Sequence, residues 1–236
     1  MSSGQPKGLK QLEEIGVEWL EGTWMKVALR TLRNHYDDGT VSPEFLAESA
    51  WRRGTDAAAV LPWRRRGDSV DVLLRQCLRP GVDLRHRIGP PVPPDTHHLT
   101  PLLWELAAGV PEADEVGHEG MRRCAARELT EEMGYQLPEE DLRPLGAGIY
   151  PSGGILSEML HLYEAEITDD TPYTEPVGDG SPFEEVGACR WWSLSEAIAA
   201  CGDGRIADAK TEITLWRLIA RYGLTPPPFE PSGGTL

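Results

Sequence analysis

Apolar and polar positions divide this chain into alternating runs near its start, continuous apolar runs in its middle, and one stretch of helical period. Residues 1 to 15 are polar and expected to be loose. From Val17 to Arg33 the text VEWLEGTWMKVALRTLR alternates as one or two strands do. NHYDDGTVSPEFLAES then predicts a turn and a short strand, with Asp38-Gly39 as the hairpin signal. Residues 1–55 therefore form a small antiparallel β element. DAAAVLPW (56–63) and SVDVLLRQCL (69–78) are apolar runs that predict a strand pair around the basic turn RRRGD.

Residues 79–101 carry six prolines and no periodicity, which predicts a long loop bordering a substrate site. Its histidines, His86, His97 and His98, have no paired Cys or close acidic partner, so they are expected to be exposed loop residues and not metal ligands. LLWELAAG (102–109) predicts a short strand into a loop, and Met121 to Met133 a helix with Met121, Ala125 and Leu129 on its apolar stripe. Gly134 ends that helix. GAGIYPSGG and MLHLYEAEIT supply further strand material around a glycine-rich turn, and residues 169–187 form an acidic loop. ACRWWSL predicts a strand, SLSEAIAACGDG a helix capped by Ser193 or Ser195, and KTEITLWRLIARYGL an amphipathic helix. TPPPFEPSGGTL is a disordered tail by composition. The main domain is thus expected over 56–224, with an α/β (α+β) fold and a tail at 225–236.

The chain has 236 residues, 40% of them hydrophobic, enough for one sizeable core and a small accessory element. A net charge of −15 argues against nucleic acid or an anionic membrane as the main partner. A small anionic substrate is still possible if a metal ion bridges the charges. Cys77, Cys124, Cys189 and Cys201 show no pairing or zinc spacing, so they are expected to be reduced thiols. No signal-like segment opens the chain and no run of 18 apolar residues occurs, so the expected location is the cytoplasm.

The stretch CAARELTEEMGY places Glu128, Glu131 and Glu132 within about one helical turn. Like charges at this spacing destabilise a helix by ~0.2–0.5 kcal/mol per pair. Either the face lies in water, or something positive sits on it. Hard oxygen ligands in such a cluster suit Mg²⁺ or Mn²⁺, and Arg127 could pin one carboxylate by a bidentate contact. Around them stand Glu119 near the helix start, Gly109 at the end of the preceding strand, and Gly134-Tyr135 at the helix end. A strand, a glycine loop and an acidic helix can hold metals against a phosphate chain.

With this frame the sequence resembles the Nudix hydrolase family, whose signature reads Gly, five residues, Glu, seven residues, Arg-Glu-apolar-x-Glu-Glu-x-Gly-apolar. Glu119, seven residues and RELTEEMGY from Arg127 to Tyr135 match its second part. Gly109 is followed by nine residues before Glu119 instead of five, which bears on a metal contact from the Ala108 carbonyl that the resemblance implies. ELAAG at 105–109 and YPSGGILSEMLHLYEAE at 150–166 are similar to the branch that hydrolyses ADP-ribose and related nucleoside diphosphate sugars. The resemblance implies a Nudix-type α-β-α sandwich with a mixed sheet, Mg²⁺ (or Mn²⁺) at Glu128, Glu132 and Glu119, and a homodimer through the N-terminal element. It also implies substrate contacts from Ser152, Gly153 and Glu158. Arg79, in LLRQCLRP with Arg75, resembles an arginine that meets the pyrophosphate, with a spacing one residue longer here.

The implied reaction is attack of water on one phosphorus of ADP-ribose or a related nucleotide sugar, giving a nucleoside monophosphate and a sugar phosphate. Glu184 or Glu185 in SPFEEVG would take the proton, with Glu131 or Glu158 as the next candidates for base. GDP-mannose and UDP-glucose are alternative substrates that the signature does not separate. A domain that senses ADP-ribose without catalysis is a rival of another class. It is disfavoured because the signature's glutamates are present, and a scaffold with a solvated acidic helix would make the signature a coincidence.

Overall fold

The computed structural model describes residues 7–52, 54–89, 101–176 and 188–225, in two compact units. One holds the described residues through Thr55 together with Tyr150–Glu158. Its sheet is an antiparallel meander of β1 (Leu9–Glu21), β2 (Met25–Tyr36) and β3 (Phe45–Arg52). β1 corrects the expectation of a loose start over residues 9–15. Those polar residues pair across the ladder, Glu14 with Arg30 at 2.6 Å and Glu13 with Arg33 at 3.4 Å, so composition was a poor guide there. Asp38-Gly39 makes the turn after β2, with Gly39 at φ 80°. Segment 150–158 joins this unit through the Ala50 N–H, which donates to Ile155 O at 2.7 Å, and through an Arg52–Glu158 ion pair.

The second unit holds the main sheet. β4 (Ala57–Arg66) and β5 (Ser69–Leu78) form the expected hairpin around Gly67-Asp68. The region read as a loop starts instead with helix α1 (Pro80–Arg87), where Pro80 occupies a first-turn position that lacks an N–H partner in any case. Residues 90–100, with His97 and His98, lie outside the described residues. β6 (Leu102–Glu105) and β7 (Ala107–Gly109) follow, then helix α2 (Gly117–Met133). α2 begins four residues before the predicted Met121. β8 (Arg143–Pro144) and β9 (Leu160–Glu166) come next, and of the GAGIYPSGG stretch only Ile149 bridges to Leu160. β10 (Cys189–Ser193) leads into α3 (Leu194–Asp203), whose cap is Ser193, and α4 (Ala209–Tyr222) closes the described fold.

The strand order β10-β5-β4-β9-β8 mixes a parallel β4–β9 pair with antiparallel neighbours. β4 and β5 pair only near their turn, over 63–66 and 69–72. Beyond that they part, and β7 takes the free edge of β4 while β6 takes that of β5. Leu106, between them, is 1% exposed, and its N–H donates to Thr211 Oγ1 in α4.

Both faces of the sheet are covered, which explains the continuous apolar run of β4. Ala57, Ala59, Leu61 and Trp63 pack with Ile198, Leu215 and Leu218 of α3 and α4. Ala58 and Val60 pack with Met121, Ala125 and Leu129 of α2. The result is an α-β-α sandwich, as the resemblance implied. Among the described residues, no helix is long and apolar enough to cross a membrane.

Candidate active site

The site begins where β7 lies beside α2. Gly109 has no side chain for a reason visible in the packing: a Cβ there would sit 1.8 Å from Glu128 Oε1. One turn further along α2, Glu132 Oε2 accepts from the Ala108 N–H at 2.9 Å. Two carboxylates of one helix face are therefore laid against one short strand. Glu128 is 8% exposed and the Glu132 side chain 10%.

Arg127 organises this face. Its Nη1 donates to Glu128 Oε1 at 2.7 Å and to Glu131 Oε2 at 2.9 Å. Its Nη2 donates to Val110 O at 3.1 Å and Glu115 Oε2 at 3.2 Å, and Nε reaches Glu115 Oε1 at 3.4 Å. Burial disfavours the Arg127 charge, but Glu115 and Glu128 outweigh it and hold the guanidinium firmly protonated. On the other side, Arg75 of β5 forms an ion pair with Glu132 Oε1. On the buried side of α2 itself, burial pushes the Cys124 thiol up to about 12, so it stays protonated and donates to Gly109 O at 3.6 Å.

Glu115 is the residue that sequence reading passed over. It is buried, and α2 is folded against it through Gly120, where a Cβ would lie 2.1 Å from the Glu115 carbonyl carbon. Glu119 instead lies exposed in the first turn of α2. A signal was available: Gly109, five residues, Glu115 satisfies the first part of the signature. The four extra residues then fall between Glu115 and Arg127, at the start of the helix. Four residues make about one helical turn, so they lengthen α2 without rotating its acidic face far from β7.

The remaining predicted residues are placed as follows. Arg79 forks both oxygens of Glu105, at 2.7 Å each, and Lys210 of α4 closes on the same carboxylate. Burial alone would raise the Glu105 carboxyl; the Arg79 hydrogen bonds and the Lys210 charge more than offset it and hold it low. Arg75, not Arg79, is the β5-region arginine paired with the acidic face of α2. Ser152, Gly153 and Glu158 belong to the other unit, where Glu158 pairs with Arg52. Glu184 and Glu185 lie outside the described residues.

The donor set has the character a hard divalent cation needs: carboxylate oxygens at a strand edge kept open by glycine. Glu128 and Glu132 could hold such an ion, and Glu131, half exposed on Arg127, is near enough in sequence to join them. Among the described residues, no three His, Cys, Asp or Glu side chains already converge in ligating geometry.

Residues 55–215 match the NUDIX domain, and the chain belongs to that family. It is 29% identical over 214 residues to a GDP-mannose pyrophosphatase of Yersinia enterocolitica, covering 91% of this chain and 97% of that one. A GDP-mannose pyrophosphatase of Pectobacterium atrosepticum is 30% identical over 156 residues, 66% of this chain and 75% of that one. In fold, the chain is similar to the crystal structure of an ADP compounds hydrolase, with a TM-score of 0.63 at 17% identity, covering 93% of this chain and 100% of that one. Family and relatives together make this chain a Nudix pyrophosphohydrolase. Nudix hydrolases generally need a divalent metal.

Proposed function

We propose that this chain hydrolyses the pyrophosphate bond of a nucleoside diphosphate sugar, with Mg²⁺ or Mn²⁺ held by Glu128 and Glu132. The observation that carries this reading is the pair of carboxylates laid against β7, with Gly109 leaving the room that Glu128 occupies. When bound, such an ion offsets the charge of the pyrophosphate and makes the attacking water more acidic. The chain's own part is positional. Arg127 holds Glu128 through a guanidinium that Glu115 and Val110 O fix in turn. The Ala108 N–H sets the Glu132 carboxylate, and Glu184 or Glu185 takes the proton from water. Water adds across the phosphoanhydride, so one P–O bond breaks and a nucleoside monophosphate and a sugar phosphate leave.

GDP-mannose is the first substrate in this proposal, supported by relatives of that name that align along nearly the whole chain. ADP-ribose is the second, supported by the likeness of YPSGGILSEMLHLYEAE to the ADP-ribose branch. A homodimer through the N-terminal element is part of the same reading. Leu12, Trp19 and Leu20 of β1 are exposed apolar residues consistent with it, and light scattering on the purified chain tests it.

The deciding experiment incubates GDP-mannose, ADP-ribose and UDP-glucose with the protein and Mg²⁺, reading GMP, AMP or UMP release. Metal-dependent GMP formation from GDP-mannose is expected. Tight binding of a nucleotide sugar with no release of any monophosphate would replace the enzyme by a sensing domain.

A further inference from the structure

Glu132 is engaged at both of its carboxylate oxygens. Its Oε2 accepts from the Ala108 N–H, and its Oε1 is in an ion pair with Arg75. Both side chains of that pair are nearly buried, at 9% and 10% exposure. Glu128 Oε1 accepts from Arg127 Nη1, and that guanidinium is also anchored by Val110 O and both oxygens of Glu115. Arg127 can therefore keep its place whatever Glu128 does. The Arg75–Glu132 contact, by contrast, sets a cation directly on a carboxylate that the proposed metal needs.

We infer that Arg75 and the divalent cation compete for the Glu132 carboxylate, so that loading the site releases the guanidinium from Oε1. This rests on the reading of Glu128 and Glu132 as metal ligands. The physical ground is that two cations on one buried carboxylate repel far more strongly than they would in water. Arg75 then has a definite task in the unloaded protein. It compensates the charge that α2 turns toward β7, and it sets the metal concentration at which the site fills.

The test measures Mn²⁺ binding by electron paramagnetic resonance in the absence of any substrate, for the wild-type chain, Arg75→Gln and Arg75→Lys. Removing the competing charge should tighten Mn²⁺ binding about tenfold in Arg75→Gln, while Arg75→Lys, which keeps the charge, stays within about threefold of wild type. A positioning role without competition would weaken binding in Arg75→Gln, and that result, or no change, overturns the inference. Absence of Mn²⁺ binding in the wild type would overturn the metal site itself and this inference with it. Should Arg75→Gln fail to fold, ¹⁵N-arginine spectra of the wild type decide the matter. The Arg75 guanidinium signal, assigned by its loss in Arg75→Lys, should shift on saturation with Mg²⁺, and an unmoved signal refutes the exchange.

Discussion

Gly109→Ala is the smallest perturbation that separates the geometry of this site from the stability of its fold. The added Cβ would lie 1.8 Å from Glu128 Oε1 and 2.1 Å from Cδ, where ordinary contact begins at 3.4 Å. The Glu128 carboxylate must retreat by about 1.6 Å, since the strand is pinned by its pairing with Ala58. Glu128 is the far end of a flexible side chain, so the clash can be relieved, but only by leaving Arg127 Nη1. Losing that charged contact costs ~1.5–3 kcal/mol, and replacing a strand glycine by alanine returns ~0.5–1 kcal/mol. A net loss of ~1–2 kcal/mol moves Tm by only a few degrees in a chain of this size. Activity responds differently, because misplacing a positioned group by ~1 Å can cost ~10²-fold. The expected result is kcat down about 10²-fold with a Tm close to wild type, read by monophosphate release and thermal melting. A kcat within twofold of wild type would refute the placement of Glu128 in the reacting centre.

Glu115→Gln should lower stability by ~1–3 kcal/mol in denaturant titration through loss of the Arg127 clamp, while Glu119→Gln should leave it within ~0.5 kcal/mol, and the reverse order would move the clamp to Glu119. The Glu105 carboxyl is held below its usual 4.5 in the fold, so its contribution is fully present above that value and is lost as pH falls through the lower folded value. Glu105→Gln should accordingly flatten the loss of stability in acid measured by thermal melts from pH 6 to 3, and an unaltered acid dependence would count against the Arg79–Glu105–Lys210 cluster. Either Glu184→Gln or Glu185→Gln, but not both equally, should cut kcat with KM unchanged and remove the acidic limb of the pH–rate profile. Full kcat in both variants would move the base elsewhere.

The sequence by itself determined the features that depend on local period and composition. The apolar runs of β4 and β5, the stripe of Met121, Ala125 and Leu129, and a serine cap at Ser193 or Ser195 all follow from neighbours along the chain. The glutamates of RELTEEMGY were legible for the same reason, because one helical turn brings them together whatever the rest of the fold does. Tertiary structure decided what those glutamates meet. As a bare helix face they read as mutual repulsion, but Arg127 and Arg75 bring compensating charge from the helix itself and from β5. The spacing from Gly109 marks Glu115 and the spacing to Arg127 marks Glu119; that Glu115 clamps Arg127 was decided by the chain folding back over Gly120. That Arg75 and not Arg79 meets the acidic face depends on β6 and β7 entering the fork between β4 and β5, where Glu105 captures Arg79. Periodicity is set by bonds along the chain; charge pairing is set by which buried groups distant segments leave in need of a partner.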